Sequence, residues 1–170
     1  MCRTQSVATG SKEDIERLGK WVKKGKAWAM TLLAGRYYEG VGVKQSDKKA
    51  IELYEMAAKG GEASAQYNLG LYYRQGIHGL TQSSKRAIEY YTLAANQGHA
   101  DAQSNLGILY VSGDGIGQSN SKARELWTKA AAQGQEQAIK CLEMLDEKEG
   151  VKSSTTTPSD VVDANIISCS

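Results

Sequence analysis

The chain of 170 residues has no phenylalanine, one proline, two histidines and three cysteines, and its net charge is only +2. Each scarcity excludes a class of protein. Cys2, Cys141 and Cys169 are odd in number and far apart, which gives neither a disulfide framework nor a metal-type spacing and points to a reducing compartment. Near-neutral charge argues against nucleic-acid binding, where phosphate contacts demand a basic excess. No apolar run approaches the roughly 18 residues of a membrane helix. Arg3, Lys12, Glu13, Asp14, Arg17 and Lys20 interrupt the stretch where a secretory signal would need its apolar core. Together these absences predict a cytoplasmic protein with no membrane insertion. Hydrophobic residues make up 41% of the chain, enough for the packed core of about one domain.

What the chain does contain is a period. Ala29, Ala65, Ala102 and Ala138 are separated by 36, 37 and 36 residues. The same steps relate Leu33, Leu69 and Leu106; Tyr37, Tyr73 and Tyr110; and Gly40, Gly76 and Gly113. Later in each unit come Ala50, Ala87 and Ala123, the pairs Ala57–Ala58, Ala94–Ala95 and Ala130–Ala131, then Gly61, Gly98 and Gly134. A repeat of this length is the signature of a solenoid.

Each unit reads as two helices. Ala65, Leu69, Gly70 and Tyr73 form one helical stripe, on which the small residues admit a close neighbour. Gly40, Gly76 and Gly113 stop the first helix, and Asp47, Ser84 and Asn120 are expected to cap the start of the second. Ile15, Leu18 and Trp21 match second-helix positions, so residues 13–28 form an opening half-repeat. Repeats then span 29–64, 65–101 and 102–137, and a capping helix spans 138–148, where Glu143 and Asp146 replace small and aromatic stripe residues, as suits an outer face in water. Residues 1–12 and the Ser/Thr-rich stretch 149–170 are expected to be disordered, with Thr157-Pro158 and Ser159-Asp160 as candidate phosphorylation positions. The fold class is all-α, an α/α superhelical solenoid.

The segments Leu33-Ala-Gly-Arg-Tyr37-Tyr-Glu-Gly40-Val-Gly42, Leu69-Gly70-Leu-Tyr-Tyr73-Arg-Gln-Gly76 and Leu106-Gly107-Ile-Leu-Tyr110-Val-Ser-Gly113-Asp-Gly115 resemble Sel-1-like repeats, and Lys49-Ala50-Ile-Glu-Leu-Tyr54-Glu-Met-Ala57-Ala58 is similar to the second half of that repeat. The resemblance covers about residues 13 to 146. It implies a relative of tetratricopeptide solenoids that acts as an adaptor or scaffold in protein complexes. One bacterial branch carries a disulfide in each repeat, and this chain lacks those cysteines. Cys2-Arg3-Thr4 resembles the end of a RING-type zinc finger, a domain that precedes such repeats in some proteins. That trace suggests the narrower alternative of an accessory subunit in a ubiquitin-ligase or protein quality-control complex.

Catalytic, metal and cofactor sites are not expected. His78 and His99 fall in turns of different repeats, and no Cys or carboxylate stands near either at ligand spacing. Gly113-Asp-Gly-Ile-Gly117 follows no strand, so it is a repeat turn and not a phosphate loop. Glu52, Glu89 and Glu125 recur once per unit, which assigns them to the fold, as does the register of Asn68 and Asn105. Lys20, Lys23, Lys24 and Lys26 form a basic cluster that could meet an acidic partner. In two-helix solenoids the first helices line the concave side. By tetratricopeptide analogy the partner-binding residues there are Trp28, Tyr38, Tyr67, Leu71, Arg74, Asp101, Ser104 and Ile108, with Thr31, Val111 and Lys140 alongside. The expected ligand is a peptide or helix of a protein partner, bound by a monomer, with self-association through the solenoid ends as the other class.

Overall fold

The computed structural model describes residues 11–150. Among them are eight α-helices and no strand: α1 (Lys12–Lys23), α2 (Ala27–Glu39), α3 (Asp47–Lys59), α4 (Ala63–Gln75), α5 (Ser84–Asn96), α6 (Ala100–Ser112), α7 (Asn120–Ala131) and α8 (Glu136–Glu149). Each helix packs against the one before and the one after it. Within the unit pairs α2–α3, α4–α5 and α6–α7 lie the sequence repeats. The first helices also meet one another directly. Tyr38 of α2 stacks on Tyr72 of α4 with ring centroids 5.9 Å apart, and Asp101 of α6 accepts a hydrogen bond from Gln135 at the start of α8. The result is two layers, α2/α4/α6/α8 and α1/α3/α5/α7, with three core clusters strung along the seam between them.

Helix ends follow repeat chemistry. The first helices stop at Gly40, Gly76 and Gly113, whose φ values of 74°, 65° and 73° lie in the left-handed region that glycine enters without a Cβ clash. Just beyond, Gln45, Gln82 and Gln118 each donate to a carbonyl of the last turn, at 2.9, 3.1 and 2.7 Å. The second helices are capped one residue earlier than the sequence suggested. Ser46, Ser83 and Ser119 are the N-caps, accepting from the amides of Lys49, Arg86 and Lys122, while Asp47, Ser84 and Asn120 are the first helical residues. Serine accepts from the third amide as readily as aspartate does, and here it is the serine that has extended backbone. The cation at that third position then lies over the tyrosine of the preceding helix: Lys49 on Tyr37, Arg86 on Tyr73 and Lys122 on Tyr110, at 5.0, 5.1 and 5.2 Å.

Spacing within a unit is set by an aromatic ring lying on a glycine. A Cβ at Gly70 would stand 2.7 Å from Tyr91 Cδ1, and one at Gly107 would stand 2.8 Å from Trp127 Cδ1. Trp127 is held there by its indole N–H, which donates to the Ser104 carbonyl at 3.0 Å. Between units the tie is polar. Buried Gln66 donates to the Ala58 carbonyl and accepts from Gln97; buried Gln103 donates to the Ala95 carbonyl and accepts from Gln133. Each glutamine thus bonds the end of the preceding repeat and the end of its own, satisfying an amide that burial would otherwise penalise. The corresponding positions nearest the chain ends are Met30 and Ile139.

On the closing helix Glu143 is exposed, as expected of an outer side, whereas Asp146 is half-buried. Asp146 pairs with Arg124 of α7, and Arg124 reaches Glu149 as well, at 2.7 Å. The acidic substitution is therefore an inter-helix clamp, and α8 continues through Glu149 into the stretch read as tail.

Two predictions follow from this packing. Gly107→Ala should lower stability by about 1–3 kcal/mol, because the Trp127 ring must shift off its carbonyl, whereas Gly19→Ala, with nothing within 4 Å, should raise it by about 1 kcal/mol from helix propensity alone; urea titration measures both. The second concerns His99, the N-cap of α6, whose Nδ1 accepts from the Ala102 amide. Burial holds its pKa below the ordinary value, only partly offset by Asp101. A base with a depressed folded-state pKa stabilises fully above its unfolded pKa of about 6.5, and that stability is lost as pH falls below it. Thermal melts from about pH 7.5 to about 5.5 should therefore fall more steeply for the native chain than for His99→Gln, since Gln135 already caps α8 in the equivalent place.

Candidate partner-binding face

The residues proposed from the sequence all lie on the α2/α4/α6/α8 layer or at its turns, but the fold uses them differently. Trp28 is 44% exposed, with its ring 5.8 Å from Trp21. Asp101 is exposed beside Gln135. Tyr38 is half-buried against Tyr72 and against the edge of His78, at 5.9 and 4.9 Å. Tyr67 is stacked on His99 at 4.7 Å and leans on Tyr91. Burial raises the Tyr67 phenol, and it pushes Tyr91 up to about 12, with Arg74 and Asn105 drawing the latter partly back. Arg74 is half-buried at the end of α4. Ser104 drops out: its side chain is 0% exposed, sealed under the Trp127 indole that bonds its carbonyl. A hydroxyl with no accessible surface cannot meet a partner.

Leu71 and Ile108 are half-buried, and the residue in register with them on α8 is Met144, 68% exposed. Leu71, Ile108 and Met144 repeat at steps of 37 and 36, so each first helix from α4 onward offers one aliphatic side chain at the same height. Between α6 and α8 the surface opens into a pocket of about 370 Å³ lined by Ile108, Val111, Trp127, Cys141, Met144 and Leu145, with Lys148 and Ser112 also on its wall. The lining is almost wholly apolar. Burial raises the Cys141 thiol, which keeps it protonated and a poor nucleophile.

Met144, Cys141 and Lys148 were missed in the sequence because α8 departs from the repeat at Glu143 and Asp146, which drew attention to its polarity. Counting on from Ile108 by one period would have found Met144.

Both histidines are engaged in the fold. His78, at φ 58°, places Nδ1 3.0 Å from Asp47 Oδ2 and its ring against Tyr38 and Tyr72, while His99 is a cap. Among the described residues no group of three or more His, Cys, Asp or Glu could hold a metal, and no helix is long and apolar enough to cross a membrane.

Comparison with known proteins gives this geometry a family. The Sel1 repeat profile matches residues 29–62, 63–99 and 100–135. A Sel1 repeat protein from Oxalobacter formigenes is similar at 37% identity and a TM-score of 0.73, over 77% of this chain and 98% of that one. The protein c5321, a protective antigen of uropathogenic Escherichia coli with an SLR fold, is 31% identical with a TM-score of 0.69, over 73% of this chain and 26% of its own. Cysteine-rich protein B of Helicobacter pylori shares the fold at 19% identity and a TM-score of 0.62, over 77% of this chain and 96% of that one. No curated protein matches. Sel1 repeats are generally protein–protein interaction modules, typically in non-enzymatic adaptors. With three consecutive matched repeats and a stack of helix pairs to accommodate them, the chain belongs to the Sel1 repeat family.

Proposed function

We propose that the chain is an adaptor that binds a peptide or helix of a partner protein across the first-helix layer, anchored in the pocket between α6 and α8. The observation that carries this reading is the pocket itself: about 370 Å³, apolar, and lined in part by an exposed methionine. Its size suits one or two bulky side chains. The aligned Leu71, Ile108 and Met144 supply a seam for the apolar stripe of an amphipathic helix. Methionine adapts its shape to irregular ligands at little cost, which suits such a rim. A face of this length fits a modest interface of about 800 Å² per partner.

The narrower role in a ubiquitin-ligase or quality-control complex rests on Cys2-Arg3-Thr4, which lies outside the described residues.

Affinity capture from native lysate with the wild-type chain and with Met144→Glu tests the reading. Met144 is exposed, so helicity and Tm should be unchanged while recovery of the specific partner falls about tenfold or more, the loss of one anchor side chain. Equal recovery by both proteins would move binding off this pocket.

A further inference from the structure

At the opening end of the molecule two tryptophans stand in water. Trp21 and Trp28 are both exposed with centroids 5.8 Å apart, and Leu32, one turn along α2 from Trp28, is 54% exposed. Neither ring is required by the repeat. In register, Trp21 takes the place of the buried alanines Ala57, Ala94 and Ala130, and Trp28 takes the place of Ser64, Asp101 and Gln137. Contiguous exposed apolar surface marks an interaction site, and tryptophan leads the residues that act as binding anchors.

Lysines cluster at the end of α1 beside this shelf. Lys24 holds its ammonium 4.8 Å above the Trp21 ring. At 100° per residue, Lys20 lies about 100° and Lys24 about 60° from Trp21 around α1, and Lys23 and Lys26 flank the turn into α2. None of these four lysines is in an ion pair among the described residues, although Arg17 on the same helix is paired with Asp14. The first turn of α2 contains no acidic residue.

We propose that Trp21, Trp28 and Leu32, rimmed by Lys20 and Lys24, bind an acidic segment of a partner protein in which carboxylates flank a bulky apolar side chain. The apolar side chain would lie on the indole shelf, and the carboxylates would pair with lysines already placed beside it. A cation poised over an indole gains most when its partner excludes water. Two other occupants fit less well, while Asp160-Val161-Val162-Asp163 of this chain has the ligand's chemistry and would compete with the partner. Residues 1–10 carry one arginine and no acidic residue, so they do not complement the lysines. A second copy docking its α8 here would make a head-to-tail contact that does not close and would grow into open chains. This shelf and the α6/α8 pocket share no residue, so either assignment can fail alone.

The test is selection of a random displayed peptide library on the immobilised full chain, followed by fluorescence anisotropy of the enriched peptides. Enriched peptides should carry Asp or Glu on both sides of an aromatic or aliphatic residue. Their Kd should rise at least about tenfold for the surface variant Lys20→Glu/Lys24→Glu and for Trp21→Ala/Trp28→Ala, and should be unchanged for Met144→Glu. The charge-reversal variant keeps the test valid if the tryptophan variant unfolds. Failure to enrich any peptide, enrichment without acidic bias, or equal binding by the charge-reversal variant would overturn the proposal. So would concentration-dependent mass abolished by the tryptophan variant, which assigns the shelf to a second copy. Competition of the peptides by phosphatidylserine vesicles but not by phosphatidylcholine vesicles would assign it to an anionic membrane surface and likewise overturn it.

Discussion

The contact on which the rest of the molecule depends is the seating of one aromatic ring on one glycine. Tyr91 on Gly70 and Trp127 on Gly107 bring the two helices of a unit so close that the backbone of the first becomes part of the core wall. Only a residue without Cβ allows that approach, and the ring fills the space a larger pair of side chains would otherwise share. In these two units the glutamine ties to the neighbouring repeats accompany the contact, while the tyrosine–cation contacts recur in all three units at 5.0, 5.1 and 5.2 Å. The first unit, which has Ala34 in place of that glycine, stands nearest the opening end.

Repetition of that contact produces function indirectly. Each period sets one first helix beside the next, so a single side-chain position becomes a row. Where the row is aliphatic, as at Leu71, Ile108 and Met144, the layer acquires a seam. The seam is most exposed at Met144 on α8, the last helix among the described residues, while the Arg124 clamp on Asp146 and Glu149 keeps α8 in line. The proposed binding surface and the α7–α8 clamp thus share the same helix.

The fold was legible because helix pairs need small, aromatic and turn residues at fixed places, and those residues recur in sequence. The glutamine ties recur too, at Gln66 and Gln103, yet a buried glutamine looks like a surface one until its partners are known. Ser46, Ser83 and Ser119 were passed over for their neighbours because both positions hold capping residues. The site was less legible. Ser104 was placed on the face by analogy, but the ring of Trp127, larger than the tyrosine of the other units, reaches over it. Tyr67 and Arg74 read as anchors and are half-buried, Tyr67 stacked on His99. Exposure depends on what the neighbouring repeat places opposite, which a column of one repeat does not reveal.

The central claim is that the partner's peptide or helix is recognised at the α6/α8 end of the first-helix layer and not on the α3/α5 face opposite. Methionine methyl signals report on it directly, since Met144 lies on that layer, Met30 is in the core and Met56 is exposed on α3 in the other layer. With ¹³C-methyl-labelled methionine and a saturating amount of captured partner, the account predicts a shifted or broadened Met144 signal beside an unmoved Met56. A displaced Met56 signal with Met144 unchanged would contradict it.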